Sequence, residues 1–204
     1  MNRWSLAAAL FWKPIKVLQQ NLDQPLRVLD IACGGGDVLC DLASRARRTA
    51  LPVEFVGCDI SLRAVEFARS RARQFDVNVD FYAADALNDP LPSGFDLMIS
   101  SLFLHHLTDS EAGSLLAKMA ATTKMILVSD LRRSWRGLWL AHAATRLLTR
   151  SAVVHVDGPC SVGNAFTVEE IRAIANHAGL QGVWLKNCWP QRYLLTWQRR
   201  GVPQ

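Results

Sequence analysis

The sequence predicts an α/β fold built on a mostly parallel sheet with helices on both faces. Three observations carry this. Short apolar, β-branched runs alternate with helix-length segments from Arg27 to Gln198. The first run ends in the turn Gly34-Gly35-Gly36 and opens directly into a helical pattern. The second run ends in an acid, Asp59. In such sheets ligands lie beyond the carboxyl ends of the strands, so the last residue of each strand and the loop after it are the places to read for chemistry.

The elements follow in order. Asn2-Arg3 and the apolar stretch Trp4–Trp12 lead into Lys13-Pro14 with no small-residue cleavage site, and read as an aromatic-bearing helix ahead of the main fold. Strand one is RVLDIA, 27–32, followed by a helix over 38–48. Strand two is VEFVGCD, 53–59, after which Ser61 caps a helix to about Gln74. VNVDFYA, 77–83, alternates as strand three; FDLMIS, 95–100, is strand four, and a helix covers 109–121. KMILVS, 124–129, is strand five, and a helical region spans 135–149. Thr167 caps a helix that stops at Gly179, with Glu169 and Glu170 well placed in its first turn. Two strands, 182–188 and 193–198, close the chain.

Composition sets the class. With 204 residues, 50% hydrophobic and 20% charged, the chain reads as one globular domain able to bury a core, not as a disordered one. We expect residues 1–24 to form a helical cap and 131–166 a lid or substrate-pocket insertion on that single domain. No apolar run reaches the roughly 18 residues of a membrane span. Five cysteines without C-x-x-C spacing read as free thiols in a reducing compartment, which points to the cytoplasm. The net charge of +5 is not gathered into one run, so the sequence does not demand a nucleic-acid partner.

The glycine turn lets the backbone approach a ligand closely, and the helix beyond it offers unpaired N–H groups. Asp59 is placed to hydrogen-bond both hydroxyls of a ribose, although with Ser61 it also serves as a helix cap. Together they indicate an adenosine-containing cofactor. A dinucleotide wants a third glycine where this chain has Leu39, and Asp37 puts a carboxylate where a pyrophosphate would lie. Both features suit a cofactor with no phosphate and a positive centre.

VLDIACGGGD, CDIS, AADAL and ISSLFLHHL, in that order, resemble the successive motifs of the class I S-adenosylmethionine-dependent methyltransferases. The resemblance covers roughly residues 27–129. It implies a Rossmann-like seven-stranded sheet with its last strand antiparallel, and S-adenosyl-L-methionine as cofactor, leaving S-adenosyl-L-homocysteine as product. Asp30 and the turn from Ala32 through Gly34 and Gly36 would line the methionine end. Asp59 would hold the ribose, Ile60 would pack on adenine, and Asp85 and Ala86 would meet the adenine edge. Ser101 and Leu102 would lie under the sulfonium. Ala32 replaces the glycine often found there, and we expect the turn to survive the methyl group. His106 matches a histidine kept in the family for structural reasons, while His105 is freer to face substrate. Related quinone O-methyltransferases hold a metal with carboxylates where this chain has Leu102 and His105, so we expect no metal.

The segment 130–150 interleaves Arg132, Arg133, Arg136, Arg146 and Arg150 with Trp135 and Trp139, and reads as a lid over an apolar pocket or a membrane-surface helix. The turn-rich stretch 153–167 carries His155 and Asp157. It resembles the same stretch of small methyltransferases found beside bacterial type III polyketide synthases, which implies a phenolic, pyrone or quinone-like acceptor. A phenol, with a pKa of about 10, profits from a histidine base. His105, His155 and His142 are the candidates. Trp4, Phe11, Trp12, Trp135 and Trp139 are expected to wall the acceptor pocket. O-, C- and N-methylation all remain open at this level. So do a nucleic-acid methyltransferase, although no N-P-P-Y-like motif follows strand four, a nicotinamide enzyme, and a non-catalytic partner protein.

Overall fold

The computed structural model describes residues 6–133 and 165–199. Helix α1 (Leu6–Gln19) precedes strand β1 (Leu26–Ile31), α2 (Asp37–Arg48), β2 (Val53–Asp59), α3 (Leu62–Gln74) and β3 (Asp80–Ala83). Then come β4 (Phe95–Ser101), a one-turn 3-10 helix (Leu104–His106), α4 (Asp109–Thr122), β5 (Thr123–Leu131), α5 (Val168–His177), β6 (Trp184–Cys188) and β7 (Arg192–Gln198). The seven strands form one sheet in the order β3-β2-β1-β4-β5-β7-β6. Strands β1 to β5 pair in parallel, and β7 runs antiparallel to both β5 and β6. The expected sheet, with its antiparallel last strand, is the one observed. The order reverses between β1 and β4, and in open α/β sheets ligands bind at the carboxyl ends of the strands beside such a switch point.

Side chains on each strand alternate between faces. On one face Val28, Leu97, Leu127 and Leu194 pack with Phe11 and Ile15 of α1, Leu39 and Leu42 of α2, and Val65 and Ala68 of α3. On the other, Leu29, Met98, Ile126 and Leu195 pack with Leu115 and Leu116 of α4 and Ile171 and Ala175 of α5. Local chemistry sets the helix starts. Thr108 and Thr167 each form a reciprocal capping box, with Glu111 and Glu170, and the Ser61 hydroxyl accepts the Ala64 N–H. No helix among the described residues is long and apolar enough to cross a membrane.

The start of β3 and the course of α1 each have an identifiable physical reason. β3 is shorter than predicted because the N–H of Val77 closes the end of α3 on Ala72 O, and residues 77–79 stay outside the sheet. α1 runs through Pro14 to Gln19. One buried stripe, Ala7/Ala8, Phe11 and Ile15, repeats at helical spacing and outweighs the hydrogen bond that the proline removes.

Candidate active site

The carboxyl ends of β1, β2 and β4 converge on the glycine turn. Cys33 N–H donates to Cys58 O at 2.9 Å, and Gly36 N–H returns to Cys33 O at 3.0 Å, which folds the turn back on itself. Ala32, Gly34 and Gly36 have φ of 56°, 52° and 70°. The turn therefore holds its left-handed form with alanine at its first position. A Cβ added to Gly34 would meet nothing within 4 Å, so its α-carbon faces open space. At Gly36 a Cβ would lie 2.8 Å from Phe81 Cζ, so hydrogen is required there for packing.

Two carboxylates flank this opening in opposite states. Asp59 is a strut: Oδ2 accepts Gly34 N–H at 2.8 Å and Oδ1 accepts Ser61 N–H at 2.9 Å. Each oxygen keeps a lone pair for a further donor. Asp30 is fully enclosed, and neither of its oxygens has a hydrogen-bond partner. Burial, followed by the charges of Asp37 and Asp59, pushes its carboxyl well above the ordinary carboxylate value. A buried carboxylate without a donor is costly, and a donor or cation from a ligand would relieve it.

The remaining expected cofactor residues lie on the same rim. Ile60 stands 70% exposed beside Asp59, an apolar side chain turned to solvent. Asp85 Oδ1 accepts the N–H of Leu87 and Oδ2 accepts Asn88 Nδ2, which holds its carboxyl below the usual value. Ala86 has its methyl in the core, so its side chain is turned away from the rim and only its backbone is offered there. Ser101 ends β4, and Leu102 follows with φ 57° and its N–H on Ser129 O. A leucine in the left-handed region is strained and marks a loop held in place by its surroundings.

The two histidines correct the sequence reading. His105, expected to be the freer, is 6% exposed, while His106 is the exposed one. The 3-10 turn directs Leu104 and His105 inward together because β5 supplies an acceptor: His105 Nδ1 donates to Asp130 Oδ1 at 2.7 Å. The two rings do not point apart, as they would on an α-helix; their centroids are 4.0 Å apart. Partial burial, and next the neighbouring His105 imidazole, hold His106 below the ordinary histidine value. Both line a pocket of about 420 Å³ with Thr108, Arg133, Phe166 and Glu170. Arg133 and Glu170 form an ion pair at its edge.

Phe11 is a second correction. It is fully buried between α1 and the sheet, so it belongs to the core and not to an acceptor wall. Trp12 is half-buried and packs on the same core. Trp4, Trp135, Trp139, His142 and His155 lie outside the described residues.

Sequence reading missed Asp130 as the partner of His105, because the fifth strand was ended at Ser129, whereas β5 continues to Leu131. The signal was present: an acid at the carboxyl end of a strand. It also missed Phe67, whose ring lies 3.0 Å from a Cβ placed on Gly35 and under the Arg71 guanidinium at 5.1 Å.

Comparison with known proteins agrees with this geometry. Residues 28–125 match the family model described as a methyltransferase domain. The chain is 31% identical over 128 residues to the ubiquinone biosynthesis O-methyltransferase of Bartonella quintana, covering 61% of this chain and 49% of that protein. It is 31% identical over 110 residues to the demethylmenaquinone methyltransferase of Deinococcus radiodurans, covering 53% and 44%. The chain thus spans about half the length of these relatives. Among solved structures, the plantazolicin methyltransferase BpumL in complex with a monoazolic desmethylPZN analog and SAH superposes at a TM-score of 0.72, with 15% identity over 96% of this chain and 83% of that one. Magnesium protoporphyrin IX methyltransferase (ChlM) from Synechocystis PCC 6803 with bound SAH gives 0.66, with 20% identity over 95% and 84%. Residues 28–125 thus match a methyltransferase domain, and the strand order is the one expected of the class I S-adenosylmethionine-dependent methyltransferases that the motifs resemble.

Proposed function

We propose that the chain transfers a methyl group from S-adenosyl-L-methionine to an oxygen of a small aromatic or polyketide-like acceptor, phenolic, pyrone or quinone-like. The single observation that carries the cofactor half is the buried, partnerless carboxylate of Asp30 under a glycine turn that faces open space. A cationic amino acid end suits Asp30, a ribose suits the free lone pairs of Asp59, and an adenine face suits exposed Ile60. Asp85 and the Ala86 backbone then serve the adenine edge, with Ser101 and Leu102 beneath the sulfonium. When bound, the cofactor supplies a methyl group already activated on sulfur, so the chain's work is alignment, exclusion of water and removal of the acceptor's proton.

His105 is the proposed base. A carboxylate oxygen accepts, so Nδ1 carries the hydrogen toward Asp130 and Nε2 keeps its lone pair for the acceptor hydroxyl. Asp130 is a positioning residue here: it fixes the ring through Nδ1 and holds the loop through the His105 N–H at 3.3 Å. The names of the relatives, two of them quinone-pathway methyltransferases, support a small-molecule acceptor. The same reading expects a cytoplasmic enzyme, with residues 131–166 as acceptor lid and peripheral membrane contact through that segment.

The test is thermal unfolding with S-adenosylmethionine, S-adenosylhomocysteine and NAD in parallel, followed by a screen of phenolic, pyrone and quinol acceptors. Stabilisation by the first two alone is expected, through preferential binding to the folded state, and should vanish in Asp59→Ala. Stabilisation by none would favour a non-catalytic partner protein. Methylation of RNA with steep salt dependence would replace the acceptor class.

A further inference from the structure

Side-chain alternation puts a polar row on the α1/α2 face at the carboxyl edge of the central strands. Val28, Ile99, Leu127 and Leu194 are core residues of that face. Two residues further toward the edge in β1, β4 and β5, the same face carries Asp30, Ser101 and Ser129. Two residues before Leu194, at the start of antiparallel β7, it carries Arg192, which is registered with Leu131 at the end of β5. The Ser129 hydroxyl is buried and, like Asp30, has no hydrogen-bond partner. The Arg192 guanidinium has no hydrogen bond or ion pair among the described residues, yet Arg192 is only partly exposed.

The row is polarised. Asp30 marks its β1 end and Arg192 its β7 end, separated by three strand spacings, roughly 14 Å before side-chain reach is counted. Burial holds the Arg192 guanidinium below its usual value, and the charges of Asp130 and Asp37 oppose that shift. α1 approaches the same edge. Its last turn is tied to the amino end of β1, where Gln19 Oε1 accepts the Leu26 N–H at 2.8 Å, so its first turn points toward the carboxyl edge. That first turn holds no acidic residue among the described residues.

We propose that Arg192 is the anion anchor of the ligand chamber and takes a carboxylate carried by the acceptor, so that the acceptor is a hydroxylated aromatic acid. The assignment rests on the methyl-transfer reading above. It is an end-to-end complementarity: the anionic Asp30 side receives the cationic end of the cofactor, and the cationic Arg192 side receives the acid. A planar guanidinium binds a carboxylate through two parallel N–H donors, which an ammonium does not reproduce. The Ser129 hydroxyl, between the two poles, is free to donate to the same ligand. The same chemistry is available from the carboxylate of the cofactor's methionine end, and the experiment separates the two sources.

Calorimetric titrations of the wild type, Arg192→Met and Arg192→Lys use two probe pairs. The first is S-adenosylhomocysteine against methylthioadenosine, which lacks the amino acid end. The second, with S-adenosylhomocysteine saturating, is 3,4-dihydroxybenzoate against its methyl ester. We expect Arg192→Met to weaken the benzoate at least tenfold, to leave the ester and both thioethers within about twofold, and to be rescued only in part by lysine. A tenfold loss for S-adenosylhomocysteine alone, with methylthioadenosine unchanged, keeps the anchor and assigns the carboxylate to the cofactor. If Arg192→Met binds every one of the four probes as wild type does, the anchor is overturned and Arg192 is a structural counter-charge to Asp37 and Asp130. A wild type that binds neither thioether defeats the methyltransferase reading instead, and titration of the benzoate pair without thioether then decides Arg192 by itself.

Discussion

His105 Nδ1 lies 2.7 Å from Asp130 Oδ1 across 25 residues of chain, joining the loop after β4 to the end of β5 inside the protein. Asp130 gathers three donors. Oδ1 also takes the Leu131 N–H at 2.6 Å, and Oδ2 takes the His105 N–H. The pair therefore does two things at once. It fixes the tautomer and direction of an imidazole, and it pins together the two strand ends that border the switch point.

Separating those roles gives the first prediction. Asp130→Ala should lower unfolding free energy by about 2–4 kcal/mol, since it leaves buried N–H donors without an acceptor. In urea titrations His105→Gln should cost less, because the Asp130 carboxylate keeps its backbone donors. With an accepted phenolic substrate, His105→Gln should reduce kcat by about 10²-fold or more. If kcat is unchanged while stability falls, His105 is a fastener only and the base lies elsewhere.

Asp30 gives a prediction with a pH signature. Its carboxyl titrates well above the ordinary value in the folded chain because burial, then Asp37 and Asp59, oppose its charge. A raised folded-state pKa favours folding fully below the unfolded value near about 3.9, and that contribution is lost as pH rises through the folded value. Ionised Asp30 is then a burden on the unliganded protein near neutrality. Asp30→Asn should raise Tm at pH 7, by the equivalent of about 1–2 kcal/mol, with the gap closing toward pH 4. The same variant should lose most of its stabilisation by S-adenosylhomocysteine.

How much of this was legible in the sequence depends on the range of the interaction that decides it. The glycine turn, the Ser61 and Thr167 caps and the strand ending at Asp59 are local signals, and the structure has them at those positions. The alternation of runs yields the parallel sheet. What escaped was decided by distant partners. His105 turns inward because of Asp130, and Phe11 is core because α1 lies on β5 and α2. Arg192 becomes interesting only when β7 is inserted beside β5, which no local pattern announces.

The glycines of the turn should separate ligand effects from folding effects. Gly36→Ala adds a Cβ 2.8 Å from Phe81 Cζ and 2.9 Å from Ala68 Cβ, at φ 70°. Overpacking plus left-handed strain should destabilise by about 2–4 kcal/mol. Gly34→Ala meets nothing within 4 Å and has only its φ of 52° to bear. Ala32 already tolerates φ 56° two residues earlier. Gly34→Ala should therefore lose no more than about 1 kcal/mol, since part of the strain is offset by a stiffer unfolded chain. Its methyl group enters the ligand space, so S-adenosylhomocysteine affinity should drop at least about tenfold, a loss of about 1.4 kcal/mol. Calorimetry and urea unfolding on the two variants should show opposite ranking.

Phe11 decides what α1 is for. Its ring is buried with Leu39, Leu97 and Leu194 in the core cluster that joins α1 to α2 and the sheet. If α1 is an integral layer of the domain, Phe11→Ala should cost about 3–5 kcal/mol by opening a cavity. Phe11→Leu, which keeps most of the volume, should cost far less. Affinity for S-adenosylhomocysteine and KM for any accepted substrate should stay within about twofold in Phe11→Leu, because no atom of this side chain faces the cleft. Trp12, half-buried on the same helix, supplies the contrast. Trp12→Ala should be milder in urea, and a change in substrate KM there, with Phe11→Leu silent, would show that α1 reaches the acceptor through its outer edge. A raised KM in Phe11→Leu at unchanged stability would return Phe11 to the pocket wall and contradict its burial.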